Sequence, residues 1–120
     1  MNPTRPTRRP AQWDVLAQGL REKRPVLVRY HGTERLLCPH VLGWKNGRPK
    51  VLSYQASGTT SHGPLPQDPR QRWRSMFVDE INQPTITDEP WETAQNYNHA
   101  TNAIDDLEIA VELPSANNPP

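Results

Sequence analysis

The sequence lacks the material for a large hydrophobic core. Only 33% of its 120 residues are hydrophobic and 14 are proline, so we expect one small core. No run of about 20 apolar residues is present, which excludes a membrane-spanning helix. The single cysteine, Cys38, excludes an intramolecular disulfide and fits a reduced, cytoplasmic compartment. No apolar stretch follows the N-terminal arginines, so no secretory signal is expected.

Lysine and arginine are missing from the last part of the chain. All 14 of them lie before residue 75, where only four acids oppose them, so this part has a net charge of +10. The remainder carries nine acids and a net charge of −9. The basic part favours an anionic partner. The acidic part either keeps the protein soluble or folds back over the basic surface.

Both ends of the chain are polar and rich in proline. The stretches MNPTRPTRRP and PSANNPP contain almost no apolar side chain, so we expect both to be disordered. The predicted domain therefore covers residues 10–92. A basic tail, residues 1–9, precedes it, and an acidic, partly disordered tail, residues 93–120, follows it.

One helix is predicted at the start of the domain. Trp13, Leu16 and Leu20 lie on one helical stripe. Pro10 suits the first turn of a helix, where a missing N–H costs nothing, and Pro25 ends the pattern. The helix is therefore expected between these two prolines.

About five short strands are predicted after the helix. The stretches VLVRY, ERLLC, HVLGW, PKVLSYQ and RQRWRSMFVDEI alternate or are extended, and Asn46–Gly47 is a strong hairpin turn. Short strands joined by tight turns indicate a small barrel. The polar stretch ASGTTSHGPLPQDP is long for a loop, and such loops are often functional. The late segment AIDDLEIAVEL is expected to form a weak helix or to stay loose.

Arginine recurs at every second position of RQRWRSMF, residues 70–77. In a strand, Arg70, Arg72 and Arg74 would line up on one side. Such a row repels itself unless an anion lies opposite, and the planar guanidinium group binds two phosphate oxygens at once. The alternative is an ion pair with Glu34, Asp79 or an acid of the tail. Both faces of this strand are apolar toward its end, so periodicity does not show which face is buried.

Four stretches between Leu20 and Trp91 follow one another in the order seen in a known family. They are REKRPVLVRYHGTERLLCPHVLGWKNGR, VLSYQASG, WRSMFVDEI and DEPWETAQNYN. Together they resemble the WYL domain family. The triplet that names the family falls on Lys50, Val51 and Leu52, of which only the leucine is kept.

The resemblance implies a mainly β fold, a small five-stranded Sm-like or SH3-like barrel with an N-terminal helix. Family members are usually regulatory ligand-binding modules of bacteria and phages. Their ligands are thought to be nucleotides or single-stranded nucleic acid. Many members carry a helix-turn-helix domain, and this chain resembles a stand-alone member without one.

The residues and the resemblance together give six candidate ligand-binding residues: Arg35, His40, Ser53, Tyr54, Arg72 and Arg74. His40 matches the family's Pro-His pair, and the alternative is a structural hydrogen-bonding role. Tyr54 either stacks on a base or packs in the core. Arg35 either contacts the ligand or is solvated. Trp44 either forms an exposed stacking platform or packs in the barrel.

Catalysis has little support in the sequence. The four histidines lack metal-ligand spacing, and no glycine-rich phosphate loop is present. A dyad of Cys38 and His40 is less favoured than a buried free cysteine. We therefore predict a non-enzymatic module, without cofactor or metal, that binds a nucleotide or short single-stranded nucleic acid through an arginine-lined site. The alternative is a protein-interaction adaptor whose basic face docks an acidic partner.

Overall fold

The computed structural model describes residues 9–97 and 103–112. It shows a mainly β fold, with one helix and a curled antiparallel sheet that forms a half-barrel. The predicted fold class, a small β barrel with an N-terminal helix, is confirmed at this coarse level. Expectations for residues 1–8, 98–102 and 113–120, including the disorder of both ends, lie outside the described residues.

The described chain contains one helix, seven strands and two 3-10 turns. Helix α1 spans Ala11–Glu22. The strands are β1 (Val26–Tyr30), β2 (Thr33–Lys45), β3 (Arg48–Thr60), β4 (Gly63–Pro64), β5 (Trp73–Phe77), β6 (Ile81–Ile86) and β7 (Asp106–Ala110). The 3-10 turns, Pro69–Gln71 and Val78–Glu80, lie before β5 and β6. The sheet order is β4-β3-β2-β1-β6, with β5 paired to β3 and β7 paired to β2.

A long hairpin of β2 and β3 forms the centre of the sheet. Its turn is Asn46–Gly47, where both residues have positive φ angles, 52° and 79°, as the sequence predicts. The register shifts twice along the hairpin, once after Leu36 and once after Pro39. Such irregularities bend a strand and increase its twist. The bent hairpin can therefore pair with β1 and β7 on one edge and with β4 and β5 on the other.

Helix α1 covers one side of the sheet. Trp13, Leu16 and Leu20 are buried, as the helical stripe predicts. The Trp13 ring stacks on Trp44 with the ring centroids 5.2 Å apart, so Trp44 packs inside the fold. Fully burying an aliphatic side chain contributes about 1.5–3 kcal/mol, so this apolar face holds the helix in place. No helix in the described residues is long and apolar enough to cross a membrane.

The expectation that AIDDLEIAVEL forms a weak helix or stays loose is wrong for residues 106–110, because they form strand β7. This strand pairs with Val41–Trp44 of β2. A Cβ atom at Gly43 would lie only 2.3 Å from the Asp106 carbonyl oxygen, so the glycine allows the two backbones to meet. The core also extends past Trp91, through four buried residues: Ala94, Tyr97, Ile104 and Val111.

Candidate anion-binding pocket

A pocket of about 490 Å³ lies where the first part of β2, the β3–β4 hairpin and the first part of β5 meet. Its lining is made of two arginines, polar hairpin residues, two prolines and a glutamine: Arg35, Arg74, Thr60, Ser61, His62, Pro64, Pro66 and Gln71. Among the described residues no carboxylate lines it. The pocket therefore concentrates positive charge, and its size falls within the range of small-molecule sites.

Arg35 is the most deeply buried charged residue of the pocket, with 3% of its surface exposed. Its Nε donates a hydrogen bond to Thr33 Oγ1 at 2.9 Å, and its Nη2 donates to Ser61 Oγ at 3.3 Å. The guanidinium carbon lies 5.0 Å from the centre of the Tyr30 ring. No carboxylate within the described ranges forms an ion pair with it. Burial lowers the pKa of Arg35, because a charged group in a poorly hydrated site is destabilised.

Gly58 brings the β3–β4 hairpin close to Arg35. It lies opposite Arg35 in the β2–β3 register and has a φ of +100°, which other residues rarely adopt. A Cβ atom there would lie 2.4 Å from the Glu34 carbonyl oxygen. The close approach requires glycine, and it places the hairpin residue Ser61 within hydrogen-bonding distance of Arg35.

Arg74 enters the pocket from β5. It shares a strand face with Met76, which is buried, so the face that carries Arg74 turns inward. Its Nη1 donates to the carbonyl oxygens of Gln71 (3.0 Å) and Trp73 (2.8 Å). Burial lowers the pKa of Arg74, and the nearby charge of Arg35 lowers it further. The two guanidinium groups are thus close enough to repel each other, and no carboxylate in the described part of the chain neutralises either.

The predicted row of three arginines does not form. Pro69–Gln71 is a 3-10 turn capped by the side chain of Asp68, so β5 begins only at Trp73. Arg70 forms an ion pair with Asp68 at 3.1 Å. Arg72 donates from Nε to the Pro66 carbonyl oxygen at 2.6 Å and does not line the pocket. Of the three, only Arg74 faces the pocket, and its neighbour there is Arg35.

Ser53 lies directly opposite Arg74 in the β3–β5 pairing, and paired residues project to the same face of a sheet. Its side chain is fully buried, and its Oγ has no hydrogen-bond partner among the described residues. Gln55, two residues along the same face, is also fully buried, and no group in the described part of the chain donates to its Oε1. Its Nε2 donates to the carbonyl oxygens of Ser57 and Thr59, which braces the end of β3 near the pocket.

His40 lies away from the pocket, in an aromatic cage under the C-terminal segment. Its ring centre is 4.8–4.9 Å from those of three aromatic residues: Trp73, Trp91 and Tyr97. Nδ1 donates to the Cys38 carbonyl oxygen at 2.7 Å, since a carbonyl can only accept. Nε2 therefore accepts from the Thr93 hydroxyl at 2.9 Å. Burial lowers the pKa of His40 to about 4, so the ring is neutral near pH 7.

Tyr54 lies beside the aromatic cage that encloses His40. Its ring meets that of Trp73 edge to face at 5.3 Å, and it is buried beside Cys38 and Ala94. The Cys38 thiol accepts a hydrogen bond from the Glu92 backbone, and burial raises its pKa to about 11. The thiol is therefore protonated near pH 7. The structure brings together Arg35 and Arg74, with Ser53 beside Arg74, and places His40 and Tyr54 elsewhere.

Five of the nine acidic residues after residue 75 form ion pairs with basic residues outside the pocket. Asp79 and Glu80 bind Arg48, Asp88 binds Arg24, Asp105 binds Lys45, and Glu108 binds Arg9. The acidic segment could have folded back over the arginine site, but none of its described residues lines the pocket. The hairpin residues Thr60, Ser61 and His62 were not predicted as site residues, and the one signal for them was the polar loop ASGTTSHGPLPQDP.

Comparisons with protein-family models, with curated proteins and with solved structures find no match to this chain.

Proposed function

We propose that the protein is a non-enzymatic binding module that holds a phosphate group of a nucleotide or of a short single-stranded nucleic acid between Arg35 and Arg74. The observation that carries this proposal is the pair of guanidinium groups in one pocket without a carboxylate among the described residues. Four arginines outside the pocket, Arg9, Arg24, Arg48 and Arg70, each form an ion pair with a carboxylate. Arg35 and Arg74 have no such pair among the described residues, and both line the same pocket, so one external anion could neutralise them together.

Electrostatics favours an anion in this position. A buried charge without a counter-ion is costly, and two like charges that repel each other add to the cost. A phosphate group would offset both, because each guanidinium group can donate two parallel hydrogen bonds to its oxygens. The pocket volume of about 490 Å³ leaves room for more of the ligand than the phosphate alone.

The fold is compatible with the resemblance in the sequence. A helix is followed by antiparallel strands with local connections, and the sheet curls into a half-barrel. This order supports the proposal that the protein is a stand-alone WYL-like module with an Sm-like or SH3-like barrel. A regulatory, ligand-sensing role in a prokaryotic or phage setting is part of the same proposal.

A binding titration with matched variants tests the proposal. A labelled single-stranded oligonucleotide and a panel of nucleotides are titrated against wild type, Arg35→Gln and Arg74→Gln at low salt, where screening is weak. Arg70→Gln is the control, because it removes the same charge from an exposed residue outside the pocket. We expect wild type and the control to bind and the two pocket variants to bind about tenfold or more weakly.

The same titration separates this function from the adaptor alternative. If no nucleotide or oligonucleotide binds to wild type, the phosphate proposal fails. An equal loss in all three variants would also contradict it, because it would indicate a diffuse basic surface. Both results would favour the adaptor whose basic face docks an acidic protein.

A further inference from the structure

We infer that the pocket selects a terminal phosphate, the phosphomonoester group of a free nucleotide or of a strand end, over the internal phosphodiesters of a nucleic-acid chain. The inference rests on the proposed function and adds the chemical class of its ligand. It is carried by the charge of the pocket, by the hydrogen-bond donors that remain unused, and by the burial of Arg35.

The charge of the pocket matches a dianion. Arg35 and Arg74 contribute two positive charges, and no described carboxylate of the lining offsets them. A phosphomonoester carries about −1.5 to −2 charges near pH 7. A phosphodiester carries a single negative charge, so it would leave one of the two guanidinium groups without a counter-ion.

The unused donors match three phosphate oxygens. A guanidinium group has five N–H bonds. Arg35 uses two of them, toward Thr33 and Ser61, and Arg74 uses two, toward the Gln71 and Trp73 carbonyls. Three N–H bonds therefore remain on each arginine without a partner in the described chain. A terminal phosphate has three non-bridging oxygens that can accept them, whereas an internal phosphodiester has only two.

The burial of Arg35 limits how the ligand enters. Because only 3% of its surface is exposed, a ligand can reach Arg35 only through the small part of the side chain that faces the pocket. A terminal phosphate is attached to the rest of its molecule on one side only. An internal phosphodiester is attached on both sides, so two chain segments would have to leave this small contact area. Pro64 and Pro66 line the pocket and offer an apolar wall to the rest of the ligand.

The decisive experiment compares ligands that differ only in the phosphate. One oligonucleotide sequence is prepared with a 5′-phosphate, with a 3′-phosphate and with hydroxyl groups at both ends. A nucleoside 5′-monophosphate is compared with the 3′,5′-cyclic monophosphate of the same nucleoside, which is a diester. We expect the monoesters to bind about tenfold or more tightly than their partners, since charge-assisted hydrogen bonds are gained.

The arms of the experiment also distinguish the source of the phosphate. If the free 5′-monophosphate binds as tightly as the phosphorylated strand, the ligand is a nucleotide. If the phosphorylated strand binds more tightly, the ligand is a strand end. Both results support selection of a terminal phosphate.

The variants connect the preference to the pocket. Arg74→Gln should remove the preference for monoesters, and Arg70→Gln should keep it. Arg74→Lys retains the charge without the planar fork and should keep only part of the preference. If Arg35→Gln does not fold, the two Arg74 variants still test the inference.

Failure of the inference can be told from failure of the proposed function. Suppose that hydroxyl-ended and phosphorylated strands bind equally well to wild type, and that Arg74→Gln binds both more weakly. This result would overturn the terminal-phosphate selection and leave the proposed function standing. A preference that persists in Arg74→Gln would place the phosphate elsewhere and overturn the inference. Absence of all binding would overturn both.

Discussion

The two faces of strand β3 differ in whether the buried polar groups beside them are hydrogen-bonded. On the face of Ser53 and Gln55, two buried oxygen atoms have no partner, and the adjacent Arg74 has no carboxylate partner in the described chain. On the face of Tyr54, His40 uses both ring nitrogens and is enclosed by aromatic rings. Buried polar groups are normally satisfied, so a satisfied group is part of the scaffold and an unsatisfied one needs an explanation. The comparison explains the aromatic face as scaffold, whereas the polar face is the one to which the proposed function assigns binding.

The largest expected effect is a loss of stability in His40→Ala. The substitution removes a buried ring and two hydrogen bonds, so it should cost roughly 2–4 kcal/mol of unfolding free energy. Urea denaturation measures the loss, with His62→Ala as a control for stability alone, since His62 is exposed but lines the pocket. Binding by the protein that remains folded should be unchanged. Lost nucleotide binding at unchanged stability would reverse the assignment of the two faces.

Arg74→Gln should produce the opposite result. The glutamine amide can still donate to a neighbouring carbonyl, but the charge and the planar fork are lost. Ligand binding should weaken by about 1.5–3 kcal/mol, the value of hydrogen bonds to charged groups. Stability should hold or rise, because repulsion between the two pocket arginines is relieved. Calorimetric titration and thermal melting of the same samples measure both. A loss of stability with binding intact would make Arg74 part of the scaffold.

The stability of the aromatic face should depend on pH. The pKa of His40 is about 4 in the fold and 6.5 in the unfolded chain. As the pH falls, the His40 ring is therefore protonated in the unfolded chain before it is protonated in the fold. The contribution of the neutral His40 ring to the unfolding free energy is complete above pH 6.5 and is lost as the pH falls toward 4. Between pH 7 and pH 5 the unfolding free energy should drop by about 2 kcal/mol. His40→Gln should lack this drop, and an identical pH profile in that variant would show that another group titrates.

Ser53→Ala should have the smallest effect. The Ser53 hydroxyl is buried and has no partner within residues 9–97 and 103–112, so its removal should raise stability by up to about 1 kcal/mol or leave it unchanged. The exposed residue Ser75, on the neighbouring strand β5, provides the control Ser75→Ala. A clear loss of stability in Ser53→Ala would mean that the hydroxyl is hydrogen-bonded after all, for example to a buried water molecule. The contrast between the two faces would then be weaker.

The sequence predicts the local elements of this fold better than its site. The helix follows from the stripe of Trp13, Leu16 and Leu20, and the central hairpin follows from Asn46–Gly47. Both depend on residues close together in the chain. The 3-10 turn at Pro69–Gln71 has local signals too, Asp68 and Pro69, but the alternating arginines suggested a continuous strand.

The site depends on contacts between distant residues. Arg35 and Arg74 become neighbours only because β3 pairs with β2 on one side and with β5 on the other. The cage around His40 likewise requires Trp91 and Tyr97 to fold back over the sheet. The alternation of residue types within a single strand does not predict either contact. The charge pattern suggested an excess of arginine over nearby carboxylates, but it did not identify Arg35 and Arg74 as neighbours.

The pairing of β7 with β2 at Gly43 has a consequence for the order of folding. The hairpin of β2 and β3 joins residues adjacent in the chain, whereas β7 must return across more than sixty residues to reach Val41–Trp44. Contacts between distant residues form late, because closing a long loop costs entropy before the contact repays it. Strand β7 should therefore dock last and open first, and its amide hydrogens should exchange with solvent before those of the hairpin.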